Sequence, residues 1–272
     1  MDVDYNKIVT ILQDKLFVQN QRSLLGTPEV QSIRVHPVNG YFFACFPLDE
    51  ENGLILYPPN PNNSSYEEIN LNSIQGYENL DFPLDATWNV FDKKYWIADS
   101  GNNAVIIVDE QTGSIDKKIE NFTLPHSILF NGNDKTMFIK SFTDENTQRV
   151  TQVNNLGDII FEFDFPGFID STEISKTIEF MYSVPKYFTM DFDLTRNRLW
   201  FASGSVLYML DLDNNQIVEN DLLSGHLENI SCVSIERGSG NAFVVIDDHV
   251  NYYVKQIFKD NNVDFGSAYL SS

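Results

Sequence analysis

Oxygen-bearing side chains crowd one short stretch, YWIADSGNNAVIIVDEQTGSI (residues 95–115), where Asp99, Asn102, Asn103, Asp109 and Glu110 stand around Gly101. Carboxylates and amides at this spacing could hold a hard divalent cation or supply an acid and a base. A similar run, DLDNNQ at Asp211–Gln216, imitates the start of a calcium loop. It puts Gln216 where the glycine is needed and Leu222 where the bidentate glutamate is needed. DNNVDFG, from Asp260, fails at the same glycine. No Cys/His spacing suits zinc, no G-x-S-x-G occurs, and His36, His126, His226 and His249 lie far apart in the chain. These motifs lead us to expect no resident metal and no cofactor. The acidic clusters read as turns, in which short Asx side chains bond to nearby backbone.

The elements that carry those turns are short. Phe (21) and Tyr (12) are abundant among the 272 residues, and β-branched or aromatic runs alternate with Asn/Asp/Gly clusters, the pattern of strands joined by tight turns. The net charge of −21 repels phosphate backbones and anionic lipid, so neither nucleic acid nor a membrane surface is an expected partner. No apolar run reaches the ~18 residues of a membrane span. The start, MDVDYNKIVTILQDK, lacks the basic flank of a secretory signal. A cytoplasmic location, or carriage into an assembly by a partner, is the expectation. Cys45 and Cys232 each lie inside an apolar run and are expected to be buried and reduced.

The pattern repeats. Units begin at Phe82, Leu124 and Val184, with weaker copies at Val30 and Glu228. Second strands are expected to start near Tyr41, Tyr95, Thr136, Leu199 and Ala242. Four strands in about 40 residues is the signature of a propeller blade. The spacing predicts an all-β chain, residues 29–272 forming a single β-propeller of five four-stranded blades, or six if residues 1–28 add another. That N-terminal segment reads equally as a helix (Ile8, Ile11, Leu12 and Leu16 on one face), a ring-closing strand or a degenerate blade.

One unit resembles the NHL-repeat family of β-propellers. The matching residues are Pro83, Tyr95 to Asn103, Val105 to Val108 and the turn from Asp109 to Gly113. The third and fourth units match in part: Lys140-Ser141 stands where the family has its aspartate, and Ala202-Ser203-Gly204 keeps only the turn. The resemblance implies a propeller of the kind that serves mostly as a binding platform. Asp99 and Asn103 are then expected to tie the turn between the second and third strands.

In a propeller the first strand of each blade is innermost. The residues after each proline would meet at one mouth of the channel: Asp85, His126 and Lys186, with Tyr187 beside them. They could bind an anion or do acid–base work, or form an ordinary hydrated rim. Lactonase-type propeller hydrolases hold a metal with residues from innermost strands. Here Ile33, Thr87, Ile128, Thr189 and Val233 stand at those positions, which are apolar or hydroxyl.

Two segments break the repeat: an insertion at 167–183 and a Pro/Asn/Ser-rich loop at 58–79. Phe168, Phe180 and Tyr182 make the first the better anchor for a partner, since aromatic residues concentrate interface energy. The resulting expectation is a non-enzymatic interaction or scaffold module with a protein partner, as in a virion or tail. The alternative is a lactonase-type hydrolase, or a small-molecule or sugar-binding propeller.

Overall fold

Small sheets with apolar residues on both faces need a layer on each side, so short strands of this composition stack as successive sheets. The computed structural model describes residues 32–35, 41–45, 53–57, 69–70, 74–77, 79–144, 147–166, 190–214, 216–221, 229–236, 238–247, 252–257 and 263–270. Every regular element among them is a β-strand. Residues 1–28 and 167–183 lie outside the described residues, and so do most of 58–79.

The chain divides into two compact units, Met1–His126 and Ser127–Ser272. In the first, β1 (Ser32–Val35), β2 (Phe42–Cys45), β3 (Leu54–Tyr57) and β4 (Ile69–Asn70) form one sheet. A second sheet comprises β5 (Pro83–Asn89), β6 (Lys94–Asp99), β7 (Ala104–Asp109) and β8 (Ile115–Ile119). β9 (Thr123–Asn131) runs on into the second unit, where it joins β10 (Thr136–Asp144), β11 (Thr147–Val153) and β12 (Ile159–Pro166). Two further sheets follow there. One is β13 (Met190–Asp193), β14 (Arg198–Ser203), β15 (Val206–Asp211) and β16 (Gln216–Asp221). The other is β17 (Asn229–Ile235), β18 (Ala242–Asp247), β19 (Tyr252–Ile257) and β20 (Val263–Leu270).

Each sheet is a meander in sequence order, which is the strand topology of a propeller blade. The all-β propeller class expected from the sequence holds. The second strands begin within one residue of their expected positions.

Packing follows the period-two alternation of strand side chains. In the first unit Phe43, Cys45, Leu54 and Leu56 of one sheet meet Trp88, Tyr95, Ile97 and Ile106 of the next. Phe43 stacks on Trp88 with ring centroids 3.8 Å apart. In the second unit β14 serves two seams. Leu199 and Phe201 pack with Phe138, Val150 and Phe165, while Trp200 and Ala202 pack with Ile230, Val233 and Val244.

The hairpins after first strands share one device. Asn89 Oδ1 accepts from the backbone N–H of Phe91 and Asp92, Asn131 Oδ1 from Asn133, and Asp193 Oδ1 from Thr195 and Arg196. Four residues after each, Lys93, Lys135 and Asn197 take left-handed φ values of 54°, 63° and 52°. Gly240 keeps the same spacing after Glu236, with φ 77°. Glycine takes this left-handed φ without strain, and a Cβ there would displace the Arg196 guanidinium from its place beside Asp193.

The cysteines divide. Cys45 on β2 is buried and free, as expected. Cys232 on β17 is in no disulfide but is only half-buried, a correction with a local cause. A register shift between Ile230 and Cys232 passes the buried face from Ile230 to Val233.

Candidate functional site

Asp99 ends β6, and its carboxylate is fully buried. Its Oδ2 accepts from Tyr77 Oη (2.7 Å) and Asn102 Nδ2 (2.9 Å), and its Oδ1 accepts from the Asp81 backbone N–H (2.7 Å). Burial pushes the carboxyl above its ordinary range, opposed by the bonds from Asn102, Tyr77 and Asp81. Asn103, at φ 52°, accepts from the backbone N–H of Leu124 (2.8 Å). Leu124 itself holds φ 44° ahead of Pro125. Ser100 Oγ donates to Pro125 O.

The expectation that Asp99 and Asn103 tie their own turn is therefore corrected. Asn102 closes the turn onto Asp99. Asp99 otherwise fixes the chain entering β5, and Asn103 the start of β9. Gly101 is needed for the same packing, because a Cβ there would stand 2.4 Å from Asp81 Cγ. The crowded oxygen atoms of this stretch are spent on backbone and neighbouring side chains.

Asp85 lies on β5 and is 2% exposed. Arg34 of β1 grips it from the preceding sheet, with Nε to Oδ1 at 3.2 Å and Nη2 to Oδ2 at 2.9 Å. Two parallel bonds make a bidentate clamp. The same carboxylate lies near Cys45, whose thiol is pushed well up by burial first and by Asp85 second. That makes Cys45 an inert packing thiol.

His126 is buried on β9. Lys186, Tyr187, Phe168, Phe180 and Tyr182 lie outside the described residues. Among the described residues no three His, Cys, Asp or Glu side chains are placed to hold a metal ion. No helix there is long and apolar enough to cross a membrane.

Lys140 was passed over in the sequence except as a mismatch. It is fully buried in the middle of β10. Its Nζ donates to Ala202 O of β14 and lies 5.5 Å from the centroid of the Phe165 ring. Burial pulls its amine down to about 7. The hairpin device supplies an alignment: counted from Lys93, Lys135 and Asn197, the residues Ala98, Lys140 and Ala202 are equivalent. The signal was present in Met137-Phe138-Ile139-Lys140-Ser141-Phe142, where the lysine shares a strand face with two phenylalanines.

Bulky apolar side chains collect on the surface of the same sheet. Leu156 (62% exposed), Ile159 (50%) and Ile160 (56%) occupy the β11–β12 hairpin and the start of β12, the edge strand.

No family model and no curated protein matches the chain. Among solved structures 635 chains match, a breadth that marks a widely used architecture and selects no activity. A protein from Lactobacillus plantarum aligns over 89% of this chain and 72% of its own, with TM-score 0.61 and 8% identity. Dihydro-heme d1 dehydrogenase NirN, in complex with DHE, aligns over 87% of this chain with TM-score 0.55 and 11% identity. This chain spans 46% of that protein's length. Hsv2 from Kluyvelomyces marxianus aligns over 87% of this chain and 64% of its own, with TM-score 0.52 and 10% identity. At such identities the likeness shows the β-propeller fold alone. The NHL resemblance stays a matter of the residues that carry it.

Proposed function

We propose that the chain is a non-enzymatic β-propeller that presents a rigid face to a protein partner, as a scaffold or structural part of a larger assembly such as a virion or tail. The observation that carries this reading is the run of half-exposed aliphatic side chains at Leu156, Ile159 and Ile160. Large apolar groups kept in water at one hairpin mark an interaction surface. β12 ends at Pro166, next in sequence to the 167–183 insertion with Phe168, Phe180 and Tyr182. The net charge of −21 favours a basic protein over nucleic acid or an anionic membrane, and fits a cytoplasmic location or one reached on a partner. Five sheets of blade topology support a count of five blades.

The alternative is a propeller hydrolase of the lactonase type, or a propeller binding a small molecule or sugar, using Asp85, His126, Lys186 and Tyr187. It draws on the dehydrogenase named among the similar structures. It has to account for an Asp85 carboxylate already clamped by Arg34.

The test is co-purification of the tagged chain against Ile159→Ser/Ile160→Ser and Phe168→Ala/Tyr182→Ala variants. A stoichiometric protein partner that is retained by the wild type and lost from either variant, with the melting temperature kept, supports the docking reading. A partner retained by both variants moves the docking site elsewhere. Bound metal by elemental analysis, with turnover of a lactone, overturns the reading in favour of the enzyme.

A further inference from the structure

Lys140 is the interior polar group that a docking scaffold leaves unexplained, and its surroundings follow from register. Lys140 pairs with Val150 and Phe142 with Gln148, while on β12 Phe163 pairs with Val150 and Phe165 with Gln148. Opposed residues of an antiparallel pair share a face. The Lys140 face of this sheet therefore carries Phe138, Phe142, Val150, Phe161, Phe163 and Phe165 with the amides of Gln148 and Gln152, and Gln152 is bonded to Thr136 Oγ1 and to Asp134 Oδ2 of the β9–β10 hairpin. Arg149 pairs with Ser141 and Asp164, on the opposite face, where it bonds Asp164 and Glu162. β9 carries one titratable residue, His126.

The opposing sheet turns Phe192, Leu199, Phe201 and Tyr208 toward this seam. Glu219, on the outer strand β16, pairs with Tyr208 on that side, and Asp221 of β16 takes the register position opposite Val206. Asp191 pairs with Trp200, and Arg198 with both Asp193 and Asp211, so these charges belong to the other face. The Lys140 amine thus meets an aromatic wall and one carbonyl oxygen. An ammonium has three N–H donors, and among the described residues one of them has an acceptor there. Gln148 Oε1, buried on the same face without a donor, would give entering water a partner.

We propose that Lys140 is a pH-sensitive latch between the β9–β12 and β13–β16 sheets. As a neutral amine, its N–H bond to Ala202 O closes the seam; as an ammonium, it draws in water and loosens it. The direction of its titration agrees, since burial pulls the amine down to about 7 against about 10.5 in the unfolded chain. The unfolded chain binds the extra proton between those two values. Stability from this group is complete above about 10.5, falls as the pH drops toward 7, and is level below that.

The test follows amide hydrogen exchange in β10 and β14 from pH 6 to pH 10, corrected for intrinsic rates, in the wild type and in Lys140→Met. The latch predicts that protection rises several hundredfold between pH 7 and pH 10 in the wild type relative to the variant. Taking the difference removes the contributions common to the two proteins. Identical pH dependence in the two proteins overturns the proposal. NMR titration of the Lys140 ε-methylene in the wild type decides independently, even where the variant fails to fold. A midpoint near 7 supports the latch, and one near the ordinary lysine value of about 10.4 overturns it.

Discussion

The first unit and the β9–β12 sheet of the second treat buried charge in opposite ways. Asp85 receives two guanidinium bonds, and Asp99 receives three donors from three different residues. Lys140, equally buried, has one carbonyl. At the positions equivalent to Lys140, two other second strands carry Ala98 and Ala202, and a methyl group has no charge to satisfy. The repeat's acids are fasteners whose bonds are complete, while its lysine is a departure held at a cost in stability. An unpaired buried charge is disfavoured by several kcal/mol, a satisfied one far less.

Substitutions at four positions probe that contrast. Asp85→Ala removes the acceptor of both guanidinium bonds from Arg34 across the seam, and chemical denaturation should show a loss of roughly 3–5 kcal/mol. Asp99→Ala leaves the Tyr77 hydroxyl, the Asp81 N–H and the Asn102 amide without their acceptor, a loss of about 2–4 kcal/mol by the same measurement. Asp99→Asn should cost less, because the amide oxygen still accepts from Asp81. The raised folded carboxyl of Asp99 fixes the sign of its pH dependence. Its stabilising share is complete below the unfolded value of about 3.8 and is lost as the pH rises through the folded one. The wild type should therefore gain on Asp99→Asn in melts run at progressively lower pH.

Lys140→Met should do the reverse of the aspartate changes and stabilise the chain at pH 7 by roughly 2 kcal/mol, since it removes a costly amine and keeps the volume. Arg149→Ala is the smallest. Its bonds to Asp164 and Glu162 are exposed to solvent, and equilibrium unfolding should change by about 0.5 kcal/mol, less in high salt.

Much of this architecture was legible in the chain. Alternation, prolines at unit starts and Asn/Asp/Gly turns place the strands, because a half-buried pleat and a tight turn each demand particular residue types. The partners of individual polar groups were not legible. Arg34 and Asp85 are 51 residues apart and meet only because successive first strands pack together. Asp99 reads as a local turn residue, yet its shortest bonds come from Tyr77 and Asp81, placed by the preceding loop. The half-exposure of Cys232 depends on a bulge that no residue of ISCVSI announces. Lys140 was legible only once its hairpin had been aligned with the hairpins of Lys93 and Asn197.

The most direct test of the contrast is a side-by-side thermal melt at pH 7 of the wild type, Asp99→Ala and Lys140→Met. Shifts of opposite sign are predicted, downward for the aspartate variant and upward for the lysine variant. A fall of similar size in both would show that Lys140 is as fully satisfied as Asp99, and would contradict the account.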